Sequence, residues 1–314
     1  LRPDGFGDIT LKYIPSDPGQ KMLRISIDSL DSEEVTGNNE RTIAVKALNG
    51  RLSVLLVTEQ PDYELGFLRR YLTQADKFDV RLISLGPRPG NLGGAFPSTQ
   101  AELNRYDLIV LHDIAPSRLG TKQSLIASYL SDHGGAVWWL MGPHFVQGLE
   151  RWVVNVLPFY PDKSRVFDYV ESHGEPVEAN LFHPAVRLAD ERSAIRALWS
   201  SLPPFRTLVR CDVVDPSGVV LATTGEGQSG RFPVIGFRRH GRGKLLATAA
   251  GPFWPWGFYN LGLGEDGGSY ARFVDGVTNW LTVQDDFDPL RIVPQKSVFS
   301  RGESIVFDAL ALDQ

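Results

Sequence analysis

The sequence predicts an α/β protein built on a doubly wound, mainly parallel sheet with β-rich pieces at both ends. Three observations carry this expectation. Through residues 50–284, near-continuous apolar runs such as RLSVLLVTEQ alternate with segments of helical spacing. That is the pattern of parallel strands covered on both faces and joined by crossover helices. Before residue 50 and after about residue 285 the pattern drops to a period of two, the mark of half-buried antiparallel strands. With 314 residues, 42% of them hydrophobic and 22% charged, the chain can bury a sizeable core.

Residues 1–49 hold three alternating segments. Ile9, Leu11 and Tyr13 share one face, as do Leu23, Ile25 and Ile27, and then Ile43, Val45 and Ala47. DPGQ and GNNE supply turns through Pro, Gly and Asn. Three strands make a poor independent domain, so this piece reads as part of a β-sandwich.

In residues 50–284, RLSVLLVTEQ is the first core strand, and Leu65, Leu68 and Leu72 mark the helix after it. DVRLISLG and Leu108 to Leu111 give the next two strands. A helix with Leu125, Ile126, Tyr129 and Leu130 on one stripe ends at His133-Gly134-Gly135, a glycine-rich C-cap. AVWWLMG is the fourth strand, with Trp138 and Trp139 facing opposite sides. Later come a short helix in HPAVRLADERSAIRALWSSLPPF and an expected hairpin in TLVRCDVVDPSGVVLATT, turning at Asp215 to Gly218. Two further strands flank the turn RHGRG, and a closing helix carries Phe273, Val277, Trp280 and Leu281 into the core. From Pro289 two more strands are expected, opening a following domain over residues 285–314.

A net charge of −5 and a pI near 5.7 argue against nucleic acid or an anionic membrane as partner. No apolar run is long enough to span a bilayer. The chain begins with Leu, without the basic start and apolar core of a signal peptide, and both ends read as cuts through a longer parent. The single cysteine, Cys211, excludes an internal disulfide framework and a four-thiolate zinc site.

The ordered succession RLSVLLVTEQPDYELGFLRRYL, YDLIVLHDIAPSRLG, YLSDHGGAVWWLMGP, HPAVRLA…LWSSLPPF and GRGKLLATAAGPFWPWGF…YARFVDGVTNWL resembles the class I glutamine amidotransferase-like domain of large bacterial envelope proteins. The resemblance covers about residues 50–284. It implies a flavodoxin-like core flanked by immunoglobulin-like β domains, in a larger membrane-anchored protein, on the extracytoplasmic side. In such domains the nucleophilic cysteine sits on a glycine-flanked turn after a core strand. The matching turn here is Met141-Gly142-Pro143 and holds no cysteine. Cys211 lies far downstream in the apparent strand TLVRCDVV. The counterpart of the family's His-x-Glu pair reads AAGPFWPWGF, with neither residue. Thiol-based glutamine hydrolysis is therefore not expected, because Met and Trp cannot stand in for a thiolate and its base.

Other chemistries find less support. Ser229, in GEGQSGRF, lacks the strand-turn-helix setting of a serine elbow. GNLGG and GEGQSG lack the Lys-Ser/Thr of a phosphate loop. In a parallel sheet, ligands gather beyond the carboxyl ends of the strands. Glu59, His112, Asp113 and His144 all fall there and form a candidate ligand edge for a metal-assisted or carboxylate-dependent hydrolase. The same residue types also cap helices and bond loop backbones. His173 and His183 read as loop residues, and His240 sits in a basic turn with Arg238, Arg239 and Arg242. The aromatic cluster Phe253, Trp254, Trp256, Phe258 and Tyr259 either stacks on a glycan or partner or closes the top of the sheet.

The leading expectation is a non-catalytic, amidotransferase-like scaffold or interaction module. It needs no cofactor, and its partners are other domains of the parent or envelope proteins. The alternatives are the hydrolase at the ligand edge and a glycan-binding module at the aromatic cluster.

Overall fold

The computed structural model describes residues 19–26, 39–47, 50–86, 94–161, 167–225, 230–258, 268–283, 290–294 and 307–311. The chain divides into two units, residues 1–51 and 52–314. In the first, β1 (Gly19–Ser26) and β2 (Glu40–Ala47) form an antiparallel ladder with Leu23 opposite Ile43. Leu23 and Ile25 are half-buried while Arg24 and Ser26 are exposed, so the period of two is realised here. The segment around Ile9 to Tyr13 lies outside the described residues, as does Ile27. An immunoglobulin-like sandwich is not seen: the described strands of this unit make a two-stranded ladder only.

The second unit opens with β3 (Leu52–Thr58), α1 (Tyr63–Gln74) and β4 (Phe78–Ser84). Next come α2 (Gln100–Leu103), β5 (Leu108–His112), α3 (Pro116–Leu119), α4 (Lys122–Ser131) and β6 (Ala136–Leu140). Two short helices follow, α5 (Pro143–Gln147) and α6 (Arg151–Val154), then β7 (Phe159–Tyr160), β8 (Phe167–Ser172) and β9 (Gly174–Pro176). The chain continues through α7 (Arg192–Ser201), β10 (Phe205–Val209), β11 (Val213–Val214) and β12 (Gly218–Thr224). It closes with β13 (Pro233–His240), β14 (Gly243–Thr248), β15 (Ala250–Gly251) and α8 (Gly268–Thr282). Beyond these, β16 (Leu290–Pro294) and β17 (Phe307–Ala311) pair with each other and, among the described residues, with no other strand.

The main sheet has eight strands in the order β4-β3-β5-β6-β14-β13-β12-β9. The first five are mutually parallel and the last three antiparallel. Numbered along the chain, the parallel part runs 2-1-3-4-5, the order of a doubly wound sheet whose ligand crevice lies between its first and third strands.

Alternation along each strand feeds two cores. Val54, Leu56, Leu108, Val110 and Trp138 face α1, α7 and α8; Leu55, Val57, Ile109, Leu111 and Trp139 face α2 to α6. Burying each such side chain contributes about 2 kcal/mol. Trp138 meets Phe273 of α8 edge-on at 5.8 Å, and Trp139 meets Phe145 of α5 at 5.7 Å. The α4 terminus forms as its glycines require: Gly134 takes φ 78° and the Gly135 N–H donates to the Tyr129 carbonyl at 2.8 Å.

Two expectations change. TLVRCDVVDPSGVVLATT is no hairpin, because its strands belong to three sheets: β10 pairs with β8 and β15, β11 with β7, and β12 with β13 and β9. The Asp215 turn does form, with Asp215 Oδ1 accepting from Ser217 N at 2.9 Å. It passes the chain between sheets because the Asp215 N–H donates to Pro158 O, and a Cβ at Gly218 would lie 2.2 Å from that same oxygen. Cys211 consequently sits in the link between β10 and β11. Trp280 is half-buried rather than central, wedged between His183 and Phe237 with the Lys244 ammonium 4.9 Å over its ring.

Candidate functional site

The carboxyl edge of the parallel strands is where the candidate residues gather. β6 ends at Leu140, and Met141 leads into the turn that opens α5. The Met141 N–H donates to Thr248 O of β14 at 2.9 Å, so the turn is stitched to the next strand. The Met141 side chain is only 9% exposed and packs in the core, where its sulfur lies 4.0 Å from Cys211 Sγ. Burial pushes the Cys211 thiol well above the usual range, and Asp212 pushes it further. Such a thiol does not ionise near neutral pH and is no nucleophile.

Asp113 closes the turn from the side. It is the one non-glycine with positive φ among the described residues, at 44°, a conformation that Asp tolerates better than most residues. Its Oδ1 accepts from His144 N at 2.8 Å and Phe145 N at 3.2 Å, and its Oδ2 accepts from His144 Nδ1 at 2.6 Å. The residue at the N-cap of α5, Gly142, has no side chain to cap with, so the Asp113 carboxylate, just past β5, does that work. A Cβ at Gly142 would stand 2.5 Å from Asp113 Cγ, which explains the glycine.

Glu59 is buried and Oε1 accepts from Ala115 N at 2.7 Å, with Arg118 Nε 3.5 Å from Oε2. It holds the loop after β5. His112 is buried between Thr58 Oγ1, 3.2 Å from Nδ1, and Asp62 Oδ1, 3.2 Å from Nε2. The Thr58 hydroxyl spends its own proton on Gln60 O at 3.0 Å and can only accept from the ring. Both ring nitrogens therefore face acceptors, which favours the imidazolium. Burial pushes the His112 pKa down, but the hydrogen bond and charge of Asp62 outweigh it and the net shift is upward.

The four residues thus do not share a centre. Asp113 and His144 meet each other, while Glu59 and His112 are engaged elsewhere. No group of three or more His, Cys, Asp or Glu among the described residues could hold a metal ion.

Two residues at this edge were missed in the sequence. Asp62 caps α1, accepting from Leu65 N at 2.9 Å. Glu64 is buried, and its Oε2 accepts from Phe253 N at 2.5 Å and Trp254 N at 3.2 Å. Burial pushes its pKa up to about 7 against the pull of those amides. A signal existed: the Leu65, Leu68, Leu72 stripe, read one turn back from Leu68, lands on Glu64.

The aromatic cluster divides. Phe253 and Trp256 are core residues, packed on Phe205 and Phe273, and Trp256 Nε1 donates to Pro203 O. Trp254 is half-buried and stacks on Phe67 of α1 at 5.2 Å and 14°. Phe258 is 49% exposed and meets Phe67 edge-on. Tyr259 and Ser229 lie outside the described residues. A shallow groove of about 250 Å³ lies along the start of α1, lined by Asp62, Tyr63, Gly66, Phe67 and Arg70.

No protein-family model and no curated protein sequence matches the chain. Among solved structures it is similar to the cytoplasmic protein STM3548 from Salmonella typhimurium, at 18% identity and a TM-score of 0.54, over 73% of this chain and 99% of that one. It is also similar to the cytoplasmic protein STM1381 from Salmonella typhimurium LT2, at 17% and 0.50, over the same shares. A ThuA-like protein from Parabacteroides merdae aligns at 16% identity with a TM-score of 0.42, over 74% and 90%. The likeness is one of fold. It is that of an α/β domain with a large, mostly parallel sheet, consistent with a flavodoxin-like arrangement. The expected extracytoplasmic, envelope-side location does not stand, since the two Salmonella proteins of like fold are cytoplasmic by name. No helix among the described residues is long and apolar enough to cross a membrane.

Proposed function

We propose that this chain is a non-catalytic, amidotransferase-like module that works by binding rather than by turnover. The observation that carries this reading is the filled elbow: buried Met141 packs against a buried, protonated Cys211 where a nucleophile would have to stand. The 2-1-3-4-5 order of the parallel strands supports the amidotransferase-like assignment. The surrounding polar groups support the rest of it. Glu59, Glu64 and Asp113 each accept backbone N–H groups, and His112 is held between Thr58 and Asp62. Groups so engaged shape loops, and their release for acid-base work would leave buried amides unpaired.

The competing hydrolase is tested by offering the chain p-nitrophenyl acetate and p-nitrophenyl phosphate, with manganese or zinc, alongside His144→Gln. The proposal expects no turnover that depends on His144. Metal-dependent turnover lost in His144→Gln contradicts it.

A further inference from the structure

We infer that Glu64 is a pH-sensitive latch: its carboxyl group holds the segment Phe253–Phe258 on the domain while protonated and lets it open locally once ionised. The segment lies between β15 and α8 and includes one helical turn, Trp254–Gly257. Within it, Trp256 N donates to Phe253 O and Phe258 N to Pro255 O, bonds that hold the segment only to itself. Among the described residues, two hydrogen bonds tie its main chain to the rest of the fold. They come from Phe253 N and Trp254 N, and both end on Glu64 Oε2. One oxygen on the first turn of α1 therefore carries the main-chain attachment of a segment 189 positions away.

The surroundings give the ionised carboxylate little to lean on. The segment itself brings no titratable side chain, and among the described residues no Lys or Arg acts on Glu64. His112, at the end of β5, attracts the charge, but Asp62 repels it and already faces His112 Nε2 at 3.2 Å. From α8 comes Tyr270, whose buried hydroxyl has no partner among the described residues. Burial, then Glu64 and Tyr71, push that phenol well above its usual range, so it stays neutral. With the proton on Oε1, Oε2 still accepts both amides. Without the proton, a charge is shut away from water with two amide dipoles and no paired cation, and burial is the dominant influence on it.

Opening lets water reach that charge. In the open segment the carboxyl returns to its ordinary value of 4.5, against about 7 when closed. The latch is therefore strongest below the lower value, weakens as pH rises, and is weakest once pH passes the higher one. The distance between the two sets the scale: opening increases up to about 300-fold across the range. Phe253 and Trp256 keep core contacts that resist opening. Trp254 and Phe258 rest on Phe67 at the surface, so the device changes which aromatic faces α1 presents. The inference goes beyond the non-catalytic reading and stands whether or not the chain turns over a substrate.

The test is amide hydrogen exchange of the whole chain, read by NMR between about pH 4.5 and 8 and corrected for the intrinsic rate at each pH. Protection of the Phe253 and Trp254 amides is expected to fall by up to about 300-fold as pH rises. At every pH it should lie at least about tenfold below that of the β5 and β6 amides, because the opening is local. Glu64→Gln keeps a carbonyl oxygen for both amides and removes the charge, so its protection there should change less than about threefold. A flat wild-type profile, or an equal fall in Glu64→Gln, overturns the latch. So does exchange of Phe253 and Trp254 only as fast as β5 and β6, which would mean the segment opens only with the whole fold. The carboxyl-carbon titration of Glu64 in the wild type is an independent reading that needs no variant. A midpoint near 7 is expected, and one at the ordinary carboxyl value overturns the inference.

Discussion

The Cys211 thiol lies 4.0 Å from the Met141 thioether, both within the core on the α4 and α5 side of the sheet. The chain's one cysteine is therefore beneath the enzyme-like turn and not on it. Buried and pushed well above the usual thiol range, it is expected to resist iodoacetamide in the native state and to react fully once urea unfolds the chain. Fast alkylation without unfolding contradicts this packing. Cys211→Ser places a hydroxyl there with no partner and is expected to cost about 1–3 kcal/mol in urea denaturation.

Asp113 combines a left-handed backbone with a capping carboxylate for α5. Asp113→Asn keeps both the tolerated conformation and one acceptor, so its cost should be about 1 kcal/mol. Asp113→Ala loses the acceptors and strains the backbone, and should cost about 3 kcal/mol or more. Equal losses for the two variants in denaturant melts would show that the carboxamide does not replace the cap.

Glu64 makes stability depend on pH. Its pKa is about 7 in the fold against 4.5 in the free side chain, so between those values the folded state holds a proton that the unfolded chain has lost. The contribution is full below the unfolded value and disappears as pH rises through the folded one. That difference corresponds to about 3 kcal/mol. His112, also shifted upward, acts in the same sense. Urea midpoints near pH 5 and pH 8 should fall with rising pH in the wild type, and fall less in Glu64→Gln. Identical pH dependence in the two proteins contradicts the burial of this carboxyl.

The architecture was readable because a parallel sheet with two covered faces writes apolar strands and helical stripes directly into the chain. Trp138 and Trp139 were assigned to opposite cores from alternation alone, and the alternation holds. The hairpin around Asp215 failed for a physical reason: a turn motif specifies a local reversal, not which strand the emerging chain pairs with, and here Pro158 decides that. At the site, position after a strand located Glu59, His112, Asp113 and His144 at the sheet edge but not their partners. Those depend on contacts such as Glu59 with Ala115, 56 positions apart along the chain. The ring contacts of Tyr63 and Phe67 with Trp254 were hidden likewise, since they join distant parts of the chain.

The central claim is that the elbow is filled and not reactive, and ammonia release from glutamine tests it most directly. With the purified chain, wild type and Cys211→Ser should both release ammonia no faster than buffer. Release by the wild type that disappears in Cys211→Ser would contradict the account.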